Sequence, residues 1–288
     1  MLSTDKLKTQ ITAIPYGTTD YPKEWLDFTD APETLYAVGN LSLLKRRKLT
    51  VVGSRRTPAN ALKLGANIAK ELCGTFVIVT GTADGGDTAA IEGGLAGGGV
   101  ICVLAGGFSA IPQSNLALLE RVAKEGLLLA VHSFDTPVRN FSYEYRNKLL
   151  AALGEGTFVL GAGEKSGALT TARYAWKLKR PLFAFPYPPN SAVGAGCNAL
   201  LKSGGNLVEN AEDIAKKFGI AVTVQKPSAD LSAEEAKLYG ALQELSEAHA
   251  SELAAKTGIP VFKLRAMLSA LEVKGLAVSL GGNRYGVV

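Results

Sequence analysis

From Lys48 onward the chain alternates short apolar runs with longer segments in which apolar residues recur at helical spacing. The apolar runs are Lys48–Gly53, Phe76–Gly81, Val100–Ala105, Leu127–Val131, Thr157–Gly161 and Leu182–Phe185, and each reads as a strand. Segments at 59–73, 87–95, 113–124, 142–152, 167–178 and 196–203 carry the helical spacing between them. Strands that are apolar throughout, separated by amphipathic helices, predict a parallel sheet covered on both faces. The reading is therefore a doubly wound α/β domain over residues 46–222, preceded by a lead-in, residues 1–45. The lead-in reads as irregular with short helical patches, punctuated at Tyr21-Pro22 and Ala31-Pro32.

The pattern changes after residues 223–230, a polar, Pro-containing linker (TVQKPSAD). Residues 231–288 predict three helices and a hairpin. Ser232 is placed to cap the first helix, Ala233–Glu244. Gly258 ends the second, Ser251–Thr257, and Gly275 ends the third, Val261–Lys274. Gly281-Gly282-Asn283 is a hairpin signal between Leu276–Leu280 and Arg284–Val288. Three helices and a hairpin in this span look like a small winged-helix domain.

Charge and composition narrow the function classes. The net charge is +5. From Ser228 on, seven acidic residues outnumber six basic ones, so the tail carries −1 and the excess, +6, belongs to residues 1–227. That balance suits an anionic partner of the larger part, and equally a soluble surface. No apolar stretch is long enough for a membrane helix, and residues 1–10 carry charges where a signal peptide needs an apolar region, so a cytoplasmic protein is expected. Cys73, Cys102 and Cys197 lie far apart in apolar surroundings and read as reduced core residues. With His132 and His249 the only histidines, no histidine-rich metal centre is expected, and no cofactor either.

In an open parallel sheet, ligands sit beyond the carboxyl ends of the strands. Four Gly-rich loops fall there. Gly53-Ser54-Arg55-Arg56-Thr57 combines close backbone approach with hydroxyls and guanidiniums that can hold phosphate in a fork. Gly81-Thr82-Ala83-Asp84-Gly85-Gly86-Asp87 can form a nest of N–H groups at a helix start, with Asp87 better placed as a cap than as an acid catalyst. Ala105-Gly106-Gly107 is the third. Gly161-Ala162-Gly163-Glu164-Lys165-Ser166-Gly167 is the fourth. It loosely resembles a dinucleotide fingerprint but has one residue too many, and no acidic residue ends the next strand, so NAD is not expected. No P-loop occurs. Between the third and fourth loops, Arg139-Asn140-Phe141-Ser142-Tyr143-Glu144-Tyr145-Arg146-Asn147-Lys148 interleaves aromatics with cations, the mixture that binds single strands by stacking and phosphate neutralisation. With Ser142 read as the helix cap, Tyr143 lies in the first turn near the ligand edge and Tyr145, about 200° round the helix, cannot share its face; the alternative reading makes Tyr143 the core residue and Phe141 or Tyr145 the exposed one.

The ordered series GSRRT, TGTADGGDTAA, RNK, KSGALTTARYA, FAFP and GAGCNALL, with YPKEW…LYAVGN before it, resembles the DprA/Smf family of DNA-processing proteins over about Tyr36 to Asp213. The resemblance implies a Rossmann-like fold that binds single-stranded DNA, forms homodimers and loads the RecA recombinase during natural transformation. It implies a binding protein, not an enzyme. Carried over by motif, Arg55 or Arg56 would occupy a phosphate pocket. Gly53, Ser54, Gly81 and Gly85 would let the DNA backbone approach. Arg146 and Lys148 would fill the RN[RK] positions, with Arg139 as a further cation. Tyr143 would meet a base, and Lys165, Ser166, Gly167 and Thr170 would form the other wall. The chain departs from the family in carrying Asp84 where Arg is frequent and Ile91 where His is frequent.

Two other classes compete. A phosphoribohydrolase-like nucleotide-processing enzyme shares this loop geometry but needs a PGG-x-GT-x-x-E segment, which is missing. A winged-helix transcription factor would concentrate basic charge in the tail, where Lys263, Arg265 and Lys274 are outweighed by acids.

Overall fold

The structure, a computed structural model, describes residues 8–221 and 231–287, which fall into two compact units on either side of the gap. The expected linker 223–230 lies outside the described residues.

In the larger unit, β1 (Thr12–Pro15) and β2 (Thr34–Gly39) form an antiparallel pair. A βα alternation follows: β3 (Lys48–Val52), α1 (Ala59–Leu72), β4 (Val77–Thr80), α2 (Gly86–Ala96), β5 (Val100–Val103), α3 (Leu116–Glu125), β6 (Leu127–Ala130), α4 (Asn140–Leu153), β7 (Thr157–Val159), α5 (Gly167–Lys177), β8 (Leu182–Ala184), α6 (Ala195–Lys202), β9 (Asn206–Leu207) and α7 (Ala211–Lys217). They build one nine-stranded sheet in the order β1-β2-β6-β5-β4-β3-β7-β8-β9, parallel from β6 through β9 and antiparallel at β2–β6.

Every residue of β3, β4, β5 and β6 is buried, as strands covered on both faces must be. Alternate residues serve opposite layers. Val77 and Val79 belong to the core layer that also holds Leu149, Leu150 and Leu153 of α4 and Ala172 and Ala175 of α5. Ile78 belongs to the opposite layer, with Ile68 and Leu72 of α1 and Ile214 of α7. A full burial of such side chains contributes roughly 1.5–3 kcal/mol each.

The segment expected to be irregular holds two strands of this sheet. Trp25, fully buried, donates its indole N–H to Leu149 O at 3.1 Å. The buried Lys48 ammonium meets Glu24 Oε1 and Arg46 O, both at 2.8 Å. These contacts clamp the lead-in to the sheet and to α4. Two short elements, β9 and α7, extend the domain where no element was expected.

The smaller unit contains α8 (Ala233–Leu245), β10 (Glu247–His249), α9 (Ala250–Thr257), α10 (Val261–Val273), β11 (Ala277–Gly281) and β12 (Arg284–Val287), with sheet order β10-β12-β11. Ser232 caps α8 as expected: its Oγ accepts from Glu235 N at 3.2 Å, and Glu235 returns by accepting from Ser232 N at 2.8 Å. Gly258 and Gly275 end α9 and α10 with φ of 71° and 75°. A core of Leu238, Leu242, Leu253, Leu264, Leu268 and Leu271 is enclosed by the hairpin.

Candidate functional site

β3 and β7 are neighbours whose connections leave in opposite directions, β3 through α1 to β4 and β7 through α5 to β8. Their carboxyl ends mark the crevice where open α/β sheets take ligands. The two loops that follow are tied together by Ser54 N–H donating to Gly161 O at 2.8 Å. Above them opens a cavity of about 780 Å³.

One wall is the loop after β3. Its shape is held by its own small residues: Thr57 Oγ1 donates to Ser54 O at 2.9 Å and Arg56 N–H reaches Ser54 Oγ at 3.3 Å. The guanidiniums of Arg55 and Arg56 are left exposed, line the cavity and make no ion pair among the described residues. The loop approaches the 81–86 loop so closely that a Cβ on Gly53 would stand 2.9 Å from Gly86 Cα. Gly85, at φ 83°, sits under Ser54 and Arg55 in a conformation that suits glycine.

The opposite wall is the start of α5. Ser166 caps it, its Oγ accepting from Ala168 N at 3.3 Å, and Lys165, Ser166 and Gly167 line the cavity. The dipole of this helix end favours an anion.

The third side is the start of α4. This helix begins two residues before the expected cap, and Ser142 stands inside its first turn, where its Oγ accepts from Arg139 N at 3.1 Å. Tyr143 is 46% exposed and lines the cavity. Tyr145 is turned to the core side and donates its hydroxyl to Asp30 O at 2.8 Å. Phe141 is 62% exposed and lies outside the cavity lining.

The floor holds two buried opposite charges that sequence reasoning did not join; they come close without an ion-pair contact and act on each other through the low-dielectric interior. Asp87 lies in the first turn of α2 and accepts N–H groups from Ala83, at 3.2 Å, and from Gly53. Arg146 donates Nη1 to Val103 O and Nε to Asn147 Oδ1, both at 3.0 Å. Both side chains are buried yet border the cavity. They converge over Gly81, where any Cβ would collide with Asp87 Oδ2 and Arg146 Nη1. Burial raises the Asp87 carboxyl above its usual range against the pull of Arg146, and burial lowers the Arg146 guanidinium against the pull of Asp87.

Gly53, Ser54, Arg55, Arg56, Tyr143, Arg146, Lys165, Ser166 and Gly167 thus meet around one cavity. Gly81 and Gly85 lie beneath its loops, making room for the charge pair and for Ser54. Thr170 lines an adjoining cavity, Arg139 is exposed beyond the lining, and Asp84 is exposed outside it. Lys148, two residues from Arg146 on α4, points elsewhere: it pairs with Asp30 at 3.2 Å and lies over the Tyr174 ring. Sequence reasoning missed Asn147, whose Nδ2 donates to Gly167 O at 3.2 Å and braces α4 against α5.

In the smaller unit, two of the three cations of α10 and its end are engaged. Lys263 pairs with Glu234 at 2.7 Å and Lys274 with Glu235 at 2.8 Å. Among the described residues no cluster of metal-ligating side chains occurs, the three cysteines are free and buried, and no helix is long and apolar enough to cross a membrane.

Comparison with known proteins agrees with this architecture. The family model described as DNA recombination-mediator protein A matches residues 12–219, and that of the DprA winged helix domain matches residues 223–283. The DNA processing protein DprA of Bacillus subtilis is 35% identical over 215 residues, 72% of this chain and 71% of the relative. The solved structure of DNA processing protein A from Streptococcus pneumoniae superposes with a TM-score of 0.69 at 30% identity, over 75% of this chain and 78% of that one. That of Helicobacter pylori DNA processing protein A, solved to describe its single-stranded DNA binding mode, superposes with a TM-score of 0.66 at 29% identity, over 73% of this chain and 95% of that one. The chain belongs to the DprA/Smf family of DNA-processing recombination mediators, with the family's α/β domain and its C-terminal winged helix.

Proposed function

We propose that this protein binds single-stranded DNA in the crevice between the loops after β3 and β7. Arg55, Arg56, Lys165 and the N-terminus of α5 take phosphates, and Tyr143 takes an unpaired base. The observation that carries this reading is the make-up of the cavity: two exposed guanidiniums without ion pairs among the described residues stand opposite a helix N-terminus, with an exposed tyrosine and the apolar Val52, Leu150 and Ala168 between them. An apolar, aromatic wall beside cations suits a splayed nucleotide, whereas a duplex keeps its bases stacked inside. The reading is of a binding module, with delivery of the strand to RecA in natural transformation, homodimer formation and a cytoplasmic location following from the family.

Single-stranded DNA, duplex DNA and free nucleotides compared side by side test it. The single strand should bind most tightly, with little sequence preference, and each neutralised phosphate should add about −0.7 to the log–log salt slope. RecA filaments should nucleate faster on the bound strand. Equal affinity for duplex, or a flat salt response, refutes the reading.

Tyr143 gives a separate expectation. Stacking on one base is worth ~1–3 kcal/mol, so Tyr143→Ala should weaken binding evenly across oligonucleotide sequences, and Tyr143→Phe, which keeps the ring, should cost little. Melting temperatures of both variants should stay near that of the parent, because the side chain is about half exposed. A large drop in melting temperature with unchanged affinity of the folded protein would assign Tyr143 to packing instead.

A further inference from the structure

Beside the main cavity lies a second one, of about 440 Å³. The two share the rim formed by Glu164, Lys165, Ser166 and Gly167. Beyond the rim the second cavity runs along α5 and α6, where Thr170, Arg173 and Ser203 surround an apolar floor of Leu169 and Leu200. Arg173 is exposed, donates Nη2 to Thr170 Oγ1 at 3.1 Å and makes no ion pair among the described residues. The rim itself is bare. A Cβ on Gly167 would find nothing nearer than Asn147 Nδ2 at 4.0 Å, so a sugar-phosphate chain can lie directly on the backbone there.

We infer that this second cavity is a further nucleotide subsite, reached by a single strand that leaves the main cavity over the Lys165–Gly167 rim. It rests on the proposed single-strand reading of the main cavity. The chemistry repeats in kind what the first cavity offers. A guanidinium with its planar fork free on one edge takes a phosphate, the threonine and serine hydroxyls can bond to sugar or phosphate oxygens, and the leucine floor accepts the flat face of a base. The spacing also fits a polymer rather than two unrelated ligands, since the cavities join across four consecutive residues. Lys165 stands at the crossing point and can hold the phosphate between the two sites. Glu164 at the same rim is the one acidic group lining both cavities, and it favours passage along the Lys165–Gly167 side.

The consequence is a length dependence that localises to Arg173. In the full chain, Arg173→Gln and Arg173→Glu should leave the affinity for a thymidine trinucleotide, which fills the main cavity alone, at the parent level. The same variants should weaken a long oligothymidylate severalfold, the glutamate more than the glutamine, with the salt slope for the long strand smaller by about 0.7 in Arg173→Gln. The side chain is on the surface, so melting temperatures should match the parent and rule out misfolding. Unchanged binding of the long strand by both variants would overturn the second subsite while leaving the main site intact. Equal loss for short and long strands would overturn it too, because Arg173 would then act on the first cavity. Failure of the parent protein to bind either strand would overturn the underlying reading, and this inference with it.

Discussion

Replacing Arg55 and Arg56 together by alanine should remove most of the affinity for single-stranded DNA and leave the fold unchanged. Each guanidinium can make charge-assisted hydrogen bonds to phosphate, worth roughly 1.5–3 kcal/mol apiece. One lost contact therefore costs about ten- to a hundredfold in affinity, and the pair more. Stability should be insensitive because neither side chain holds the loop. Its shape comes from Ser54 and Thr57, from Ser54 N–H on Gly161 O at 2.8 Å, and from the close approach of Gly53 to Gly86. Two neighbouring exposed cations also repel each other, so alanine relieves that repulsion in the free protein. Fluorescence anisotropy with a labelled oligonucleotide and a thermal melt decide the matter. A double variant that binds normally removes these arginines from the site. One that melts many degrees lower makes the loop's charge structural.

The same loop shows what can be read from a linear chain and what cannot. Apolar runs such as VVG and VIVTG declare buried parallel strands, and the glycines and polar residues just after them declare the ligand edge, because a parallel sheet leaves few other places for such loops. The fold and three walls of the cavity were legible on those grounds. The role of β2 was not. Tyr36–Gly39 becomes a sheet strand by pairing with Leu127–Ala130, ninety positions on, and its own residues carry no mark of that partner. β9 has two residues, too short for any periodicity to register. On α4, the spacing that separates Tyr143 from Tyr145 also separates Arg146 from Lys148. Two cations two residues apart cannot both face one cavity, and the structure sends Lys148 to Asp30. What no local pattern could show is that Arg146 would be buried. Its partners are Val103 O, Asn147 and the charge of Asp87, which comes from the first turn of a different helix and approaches it over Gly81.

The Asp87–Arg146 pair should dominate the stability of the site. Removing either charge leaves the other buried with less compensation; the cost of breaking a buried ion pair, about 3–5 kcal/mol, is the upper bound, because these two groups interact without an ion-pair contact. Arg146→Met keeps much of the volume and removes the charge, so it should lower the denaturant midpoint strongly at neutral pH. Asp87→Asn keeps the shape but turns an amide N–H toward the backbone donors of Gly53 and Ala83, so it too should destabilise. The two changes together should cost less than the sum of the singles, which is the signature of a coupled pair in a double-mutant cycle. The pH dependence follows from the direction of the Asp87 shift. Burial already holds its carboxyl above the usual range, and without Arg146 it should rise further. A carboxyl whose folded-state pKa is raised favours the folded state at low pH, and that contribution disappears as pH climbs through the folded-state pKa. Arg146→Met should therefore lie closest to the parent in mildly acidic buffer and fall away toward neutral pH, with Arg55 and the Cys102 thiol the other ionisable groups near Asp87. The Arg146→Met/Asp87→Asn double variant should show no such recovery. Additive losses in the cycle, or an Arg146→Met deficit that stays constant with pH, would mean that Arg146 acts through its bonds to Val103 O and Asn147 and not through the charge of Asp87.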